Sequence, residues 1–158
     1  MPDAPTLTDK FREMYDRSLN HGDFEPTHRM CLPDASFVGP NGTVTGTQAV
    51  VALIRTQRAA FDDFHYEIEH IFANEEGVGV ASITRGIHAR PLFGVPASGQ
   101  PVEIRMLSIH RVVDGRSTGG WTSSNYVEAL KAAHHRDNAP EAGENQAPPS
   151  HQEEDASQ

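Results

Sequence analysis

Cysteine is nearly absent from this chain of 158 residues, the single thiol being Cys31. One cysteine can form neither an internal disulfide nor a cysteine-based zinc cluster, and its neighbours Met30 and Leu32 suit a small buried apolar residue. Basic charge is also scarce. Lys and Arg number 13 against 22 Asp and Glu, a formal net charge of −9 with no basic stripe, which argues against nucleic acid as a partner. Long apolar runs are missing too. The longest, residues 49–54, falls far short of the roughly 20 residues a membrane-spanning helix needs. The opening MPDAPTLTDK has no basic stretch feeding an apolar one. The expectation is a soluble, cytoplasmic protein that engages neither nucleic acid nor membrane. No internal repeat is present, and the length suits one domain.

The last 25 residues differ from the rest. Residues 134–158 contain no Ile, Leu, Val, Met, Phe, Tyr or Trp, so they cannot bury enough surface to offset the entropy of ordering them. There Arg136 faces Asp137, Glu141, Glu144, Glu153, Glu154 and Asp155, which together hold more than half of the net charge. The chain therefore divides into a folded domain, residues 1–133, and a disordered acidic tail, 134–158. The adjacent His134 and His135 read as solvated tail residues rather than metal ligands.

Within the domain, Phe11, Met14, Tyr15 and Leu19 recur at helical spacing after a cap at Thr6 or Thr8, and Asn20-His21-Gly22 stops the helix. Pro26 suits the first turn of a short second helix ending near Cys31, closed by Pro33. Ser36 to Val38 forms a minor strand before the Gly39-Pro40-Asn41-Gly42 turn. Thr47 caps a third helix with Val50, Leu53, Ile54, Gln57 and Phe61 on one face. Then the period changes from helical to two: Phe64, Tyr66, Ile68, His70 and Phe72 alternate with polar residues. Further strands follow over 78–88, 101–113 and up to about Ser124, the last two joined at Asp114-Gly115. Tyr126 to Ala133 closes the domain as a helix. The predicted fold class is α+β, an antiparallel meander curved around helices on one face.

If even positions point inward on the first three strands, His70, Ser82, Thr84, His88, Ser108 and His110 share the covered side. Odd positions after the hairpin add Trp121, Ser123 and Asn125, with parity exposed to any bulge. Three histidines on one face could hold zinc, but no tight ligand spacing and no carboxylate on that face supports a metal site. Arg85, Arg105 and Arg111 belong on the outer face, where Ile83, Ile87, Leu107 and Ile109 predict a homodimer interface.

The segments Asn20-His21-Gly22-Asp23, residues 58–63 (RAAFDD), Gly86 to His88 with residues 93–100 (FGVPASGQ), and residues 109–116 (IHRVVDGR) ending in Trp121 resemble the SnoaL-like polyketide cyclase family, in the right order across residues 8–133. The resemblance implies a cone-shaped fold of the nuclear transport factor two type. It also implies intramolecular aldol ring closure of an aromatic polyketide without metal or organic cofactor. In that family an Asp four residues after the tryptophan is the acid/base. The equivalent here is Asn125, whose amide cannot exchange a proton at neutral pH.

Histidine is then the candidate base, because its pKa lies nearest to physiological pH. His110 and His88 are the catalytic candidates together with Asn125, and Ser108 and Thr84 are possible donors to an enolate oxygen. Trp121, Phe93 and Tyr15 would supply flat apolar walls, and His70 completes the substrate-binding set. Blander roles stand beside these: Asn125 as a helix cap, Trp121 as a core residue, Asp114 as a turn residue. Two other readings predict different behaviour. A polyketide hydroxylase component with a reductase partner would need oxygen and NADPH. A non-catalytic binding module would hold ligands unchanged. An epoxide hydrolase would need inward aspartates, and none is among these positions.

Overall fold

The computed structural model describes residues 3–138. Helix α1, Leu7–Tyr15, opens on a reciprocal cap: the Asp9 N–H donates to Thr6 Oγ1 (3.2 Å) and the Thr6 N–H to the Asp9 carboxylate (2.9 Å). The helix then widens into a π-helical turn, Asp16–Asn20. At its end the Asn20 amide accepts the Tyr66 N–H (2.7 Å) and donates to the Tyr66 carbonyl (2.9 Å), clipping the helix to the sheet. Helix α2 is Glu25–Met30, with Pro26 in its first turn.

The strands are β1 (Cys31–Gly39), β2 (Gly42–Thr45), β3 (Phe61–Ala73), β4 (Gly77–His88), β5 (Pro101–Val113) and β6 (Arg116–Ser124). Helix α3 is Thr47–Ala60 and α4 is Tyr126–Asp137. One sheet of order β2-β1-β6-β5-β4-β3 contains all six strands, antiparallel except between β1 and β6. The α+β class and the meander β3 to β6 agree with the sequence reading, while several local features differ, among them Phe61, which opens β3 instead of closing the face of α3.

Pro33 does not end α2 but lies inside β1. It sits in the irregular stretch between the pairs Cys31↔Ser117 and Ser36↔Gly119, where a missing N–H breaks no ladder bond. Strand β2, hidden in a glycine- and threonine-rich run, pairs back on β1. Thr47 is the first residue of α3 rather than its cap. Gly46 takes the cap position at φ 93°, and the Thr47 hydroxyl donates to the Leu32 carbonyl (2.7 Å). Helix α4 continues through His134 and His135 to Asp137, so the first four residues assigned to the tail are helical. The rest of that segment, 139–158, lies outside the described residues.

Two packed cores flank the middle of the inner sheet face. In one, Phe11 and Met14 of α1 meet Val78 and Val80 of β4, with Met30, Cys31 and Ala35. In the other, Tyr126, Leu130 and Ala133 of α4 meet Phe61, Val102 and Ile104, with Leu92 and Val95 from the 89–100 loop. Among the described residues no helix is long and apolar enough to cross a membrane.

Candidate active site

Between these cores the inner face of the sheet, α1 and α3 enclose a cavity of about 350 Å³. This is within the size range of small-molecule sites. Val50, Leu53 and Ile54 of α3 and Phe37 of β1 make apolar walls. Polar side chains in the lining include Tyr15, Tyr66, Thr84, Ser108, His110, Thr122 and Ser124 from α1 and the sheet and Gln57 from α3. No Asp, Glu, Lys or Arg side chain lines the cavity among the described residues.

His110, carried by β5, is only 4% exposed. Its Nε2 lies 2.6 Å from the Tyr15 hydroxyl and its Nδ1 lies 2.9 Å from Ser117 Oγ. Phe11 and Phe37 meet the ring edge to face, with centroids 4.9 and 5.2 Å away. Burial among these rings lowers the histidine pKa to about 4, so the imidazole is neutral at pH 7. Tyr15 stacks on Tyr66 (5.4 Å, 12°). Burial first, and then the neighbouring phenol, raise its pKa well above the usual tyrosine value, with Ser108 opposing. Burial also raises Tyr66, and it pushes the Cys31 thiol up to about 11. Each titratable group on the wall is therefore uncharged at neutral pH. A buried charge without a partner would be costly, and these groups avoid it by remaining neutral.

Of the nine site residues read from sequence, His110, Tyr15, Ser108, Thr84 and Phe93 do line the cavity. Phe93 reaches it through a tight turn in which Leu92 and Val95 exchange backbone hydrogen bonds (3.0 and 2.9 Å). Phe93 itself adopts φ 50°, and its ring stands edge-on to Tyr126.

The other four do not line it. His70 is exposed because β3 bulges between Ile68 and His70, which pairs His70 with the outward Ala81 and reverses parity, so that Phe72 is also outside. Trp121 is exposed because of a second bulge, between Arg111 and Val112. The resulting register sets Trp121 beside outward Ile109 and turns Thr122, opposite Ser108, and Ser124, opposite Met106, inward in place of Trp121 and Ser123. Outside, the Arg111 guanidinium lies 4.3 Å from the Trp121 ring. Asn125 follows as the outward neighbour of Arg105, accepting the Arg105 N–H (2.8 Å), and its side chain does not cap α4.

His88 faces inward as expected but at the far end of its strand. It is fully buried beneath the α4 core beside Phe61, with neither ring nitrogen hydrogen-bonded. Burial lowers its pKa as well. The three histidines weighed as a zinc site are therefore not assembled. Sequence reasoning missed Thr122, Ser124 and Ser117. The Gly119-Gly120 pair was the only signal available. A Cβ at Gly119, φ 114°, would strike the Ser36 backbone, so β6 passes β1 at a distance that only glycine allows.

Residues 9–133 match the SnoaL-like polyketide cyclase family. The chain belongs to this family. Among curated proteins none matches the sequence significantly. Among solved structures the SnoaL-like chain is similar to IdmH from Streptomyces antibioticus, described as a candidate polyketide cyclase. It shares 28% identity over 81% of this chain and 97% of that one, at TM-score 0.69. A SnoaL-like polyketide cyclase candidate from Jannaschia sp. CCS1 has 18% identity over 89% and 99% of the two chains, at TM-score 0.73. AclR from Streptomyces galilaeus, described as a candidate hydroxylase, has 23% identity over 80% and 94%, at TM-score 0.68. The last two likenesses concern the fold alone. The fold of this SnoaL-like protein is thus the nuclear transport factor two-like cone that the sequence motifs implied.

Proposed function

We propose that the protein closes a ring on a neutral aromatic polyketide by intramolecular aldol addition inside this cavity. The observation that carries the reading is an uncharged, largely apolar cavity in which a phenol, Tyr15, is backed by a buried neutral imidazole, His110. A carbon between two carbonyls enolises readily, so an enol can be the bound form and no carboxylate base is demanded of the wall. In the step itself the enol carbon attacks a ketone carbon and a C–C bond forms. The enol oxygen gives up its proton and becomes a carbonyl, and the ketone oxygen takes up one proton and becomes an alcohol, so that no proton is gained or lost overall. Tyr15 Oη donates a hydrogen bond to the ketone oxygen as negative charge grows there, where a dry site makes such a bond count most. His110 acts through Tyr15, since its own Nε2 is already engaged. Thr84, Ser108 and Thr122 supply further hydroxyls, and the walls of α3 and Phe37 hold the rings near the reacting geometry.

Incubating the purified protein anaerobically, without NADPH, with an unclosed poly-β-ketone ester tests this reading. Ring-closed product is expected. Conversion only with oxygen and NADPH would point instead to hydroxylation, and binding without conversion would point to a carrier.

The same reading includes a homodimer through the outer sheet face. Val38, Trp121, Ile109 and Phe72 are exposed and lie in one row across β1, β6, β5 and β3, with Gly79 between the last two. Leu107 also stays exposed, whereas Ile83 is buried, paired in register with Glu67 and Arg105. Such a row is larger than the scattered apolar residues of a monomer surface. Beside it Arg85 bridges Glu67 and Glu103, and Arg105 bridges Glu69 and Glu103. Light scattering at micromolar concentration should give twice the chain mass, and Ile109→Glu should halve it. A monomeric wild type would contradict this interface.

A further inference from the structure

We infer that Ser117 is a positioning residue: it fixes which ring nitrogen of His110 carries the proton, and thereby makes Tyr15 a hydrogen-bond donor toward the contents of the cavity. The inference rests on the role given to Tyr15 above. Ser117 is fully buried at the start of β6, just after the Asp114-Gly115 turn. Its oxygen already accepts the Gly119 N–H (3.2 Å). A buried hydroxyl proton needs an acceptor, and the hydrogen-bonded acceptor in reach is His110 Nδ1 at 2.9 Å. The Cys31 thiol also lies beside Ser117, but sulfur accepts more weakly than an imidazole nitrogen.

With Nδ1 accepting, the single proton of the neutral ring must sit on Nε2. Nε2–H then donates across 2.6 Å to the Tyr15 oxygen. The Tyr15 proton is left free to point away from His110, toward a carbonyl in the cavity that Tyr15 lines. The opposite order, with Nδ1–H donating to Ser117, would leave the buried serine proton to the thiol and turn the Tyr15 proton back onto His110. That would remove the donor from the cavity. A chain of Gly119, Ser117, His110 and Tyr15 therefore orients one hydroxyl, each link aimed by the one before it. Gly119 closes the chain through its N–H, which donates to Ser117 Oγ across 3.2 Å.

Imidazole ¹⁵N–¹H NMR on the full-length protein at pH 7 tests the tautomer directly. His110 should carry its proton on Nε2, and Ser117→Ala should shift the ring toward the Nδ1–H form by about tenfold or more. Ser117→Thr, which keeps the hydroxyl, should restore Nε2–H, and Cys31→Ala should leave it unchanged. A wild-type proton on Nδ1 would overturn the inference even if Ser117→Ala fails to fold, and so would an unshifted tautomer in a folded Ser117→Ala. An Nε2–H signal in a protein that closes no ring would overturn the proposed reaction and leave the assignment of Ser117 standing.

Discussion

Tyr15→Phe is expected to lower kcat by about 10²–10³-fold with little change in KM, the range observed when one preorganised donor to a developing oxyanion is deleted. The phenyl ring keeps the stack on Tyr66 and the cavity wall, so ground-state binding should persist. What disappears is the cavity-lining hydroxyl held by the buried imidazole. The variant also strands His110 Nε2–H, a loss of about 1–3 kcal/mol in stability. Melting curves recorded beside the kinetics separate that cost from the catalytic one. A folded Tyr15→Phe protein with near wild-type kcat would remove Tyr15 from the chemistry.

Mild acid should destabilise the fold markedly. Free histidine titrates near 6.5, whereas His110 in the fold stays neutral down to about 4. Between those values the unfolded chain binds a proton that the folded chain refuses. The stabilising contribution is therefore complete above about 6.5 and is lost as pH falls toward 4, by about 3 kcal/mol. His88, lowered by burial and without a partner on either nitrogen, acts in the same direction. The depressed carboxylates of Asp9 and Asp23 act below 3.8 and leave this window clear. Urea unfolding at pH 7.5 and pH 4.5 reads the difference, which should shrink in His110→Gln. Equal stability at the two pH values would mean that the ring finds a charge partner on protonation.

Apart from β2, element order was legible in the sequence because period and punctuation changed together. The helical face of α3 gives way at Phe61 to two-residue alternation, and Asp114-Gly115 marks the last hairpin. The inner faces of β4 and β5 were legible because their mutual register is unbroken, so Thr84, Ser108 and His110 fall where alternation puts them. His70 and Trp121 were misplaced for one shared reason. A bulge adds a residue without altering local composition, and every side chain beyond it changes face. Asn125 followed the register of Trp121. His88 had the correct face but not the correct depth, since alternation carries no information about position along a strand relative to α4. Tyr15 was identifiable as a wall residue, but its bond to His110 joins positions 95 residues apart and has no local signal.

The partition between inner and outer faces is tested most directly by comparing Tyr15→Phe, His70→Ala and Asn125→Ala in the same anaerobic ring-closure assay. The outer-face variants should turn over at wild-type rates while Tyr15→Phe falls by about 10²-fold or more. Loss of turnover in His70→Ala or Asn125→Ala, with Tyr15→Phe unaffected, would place the reaction outside the cavity and contradict the site.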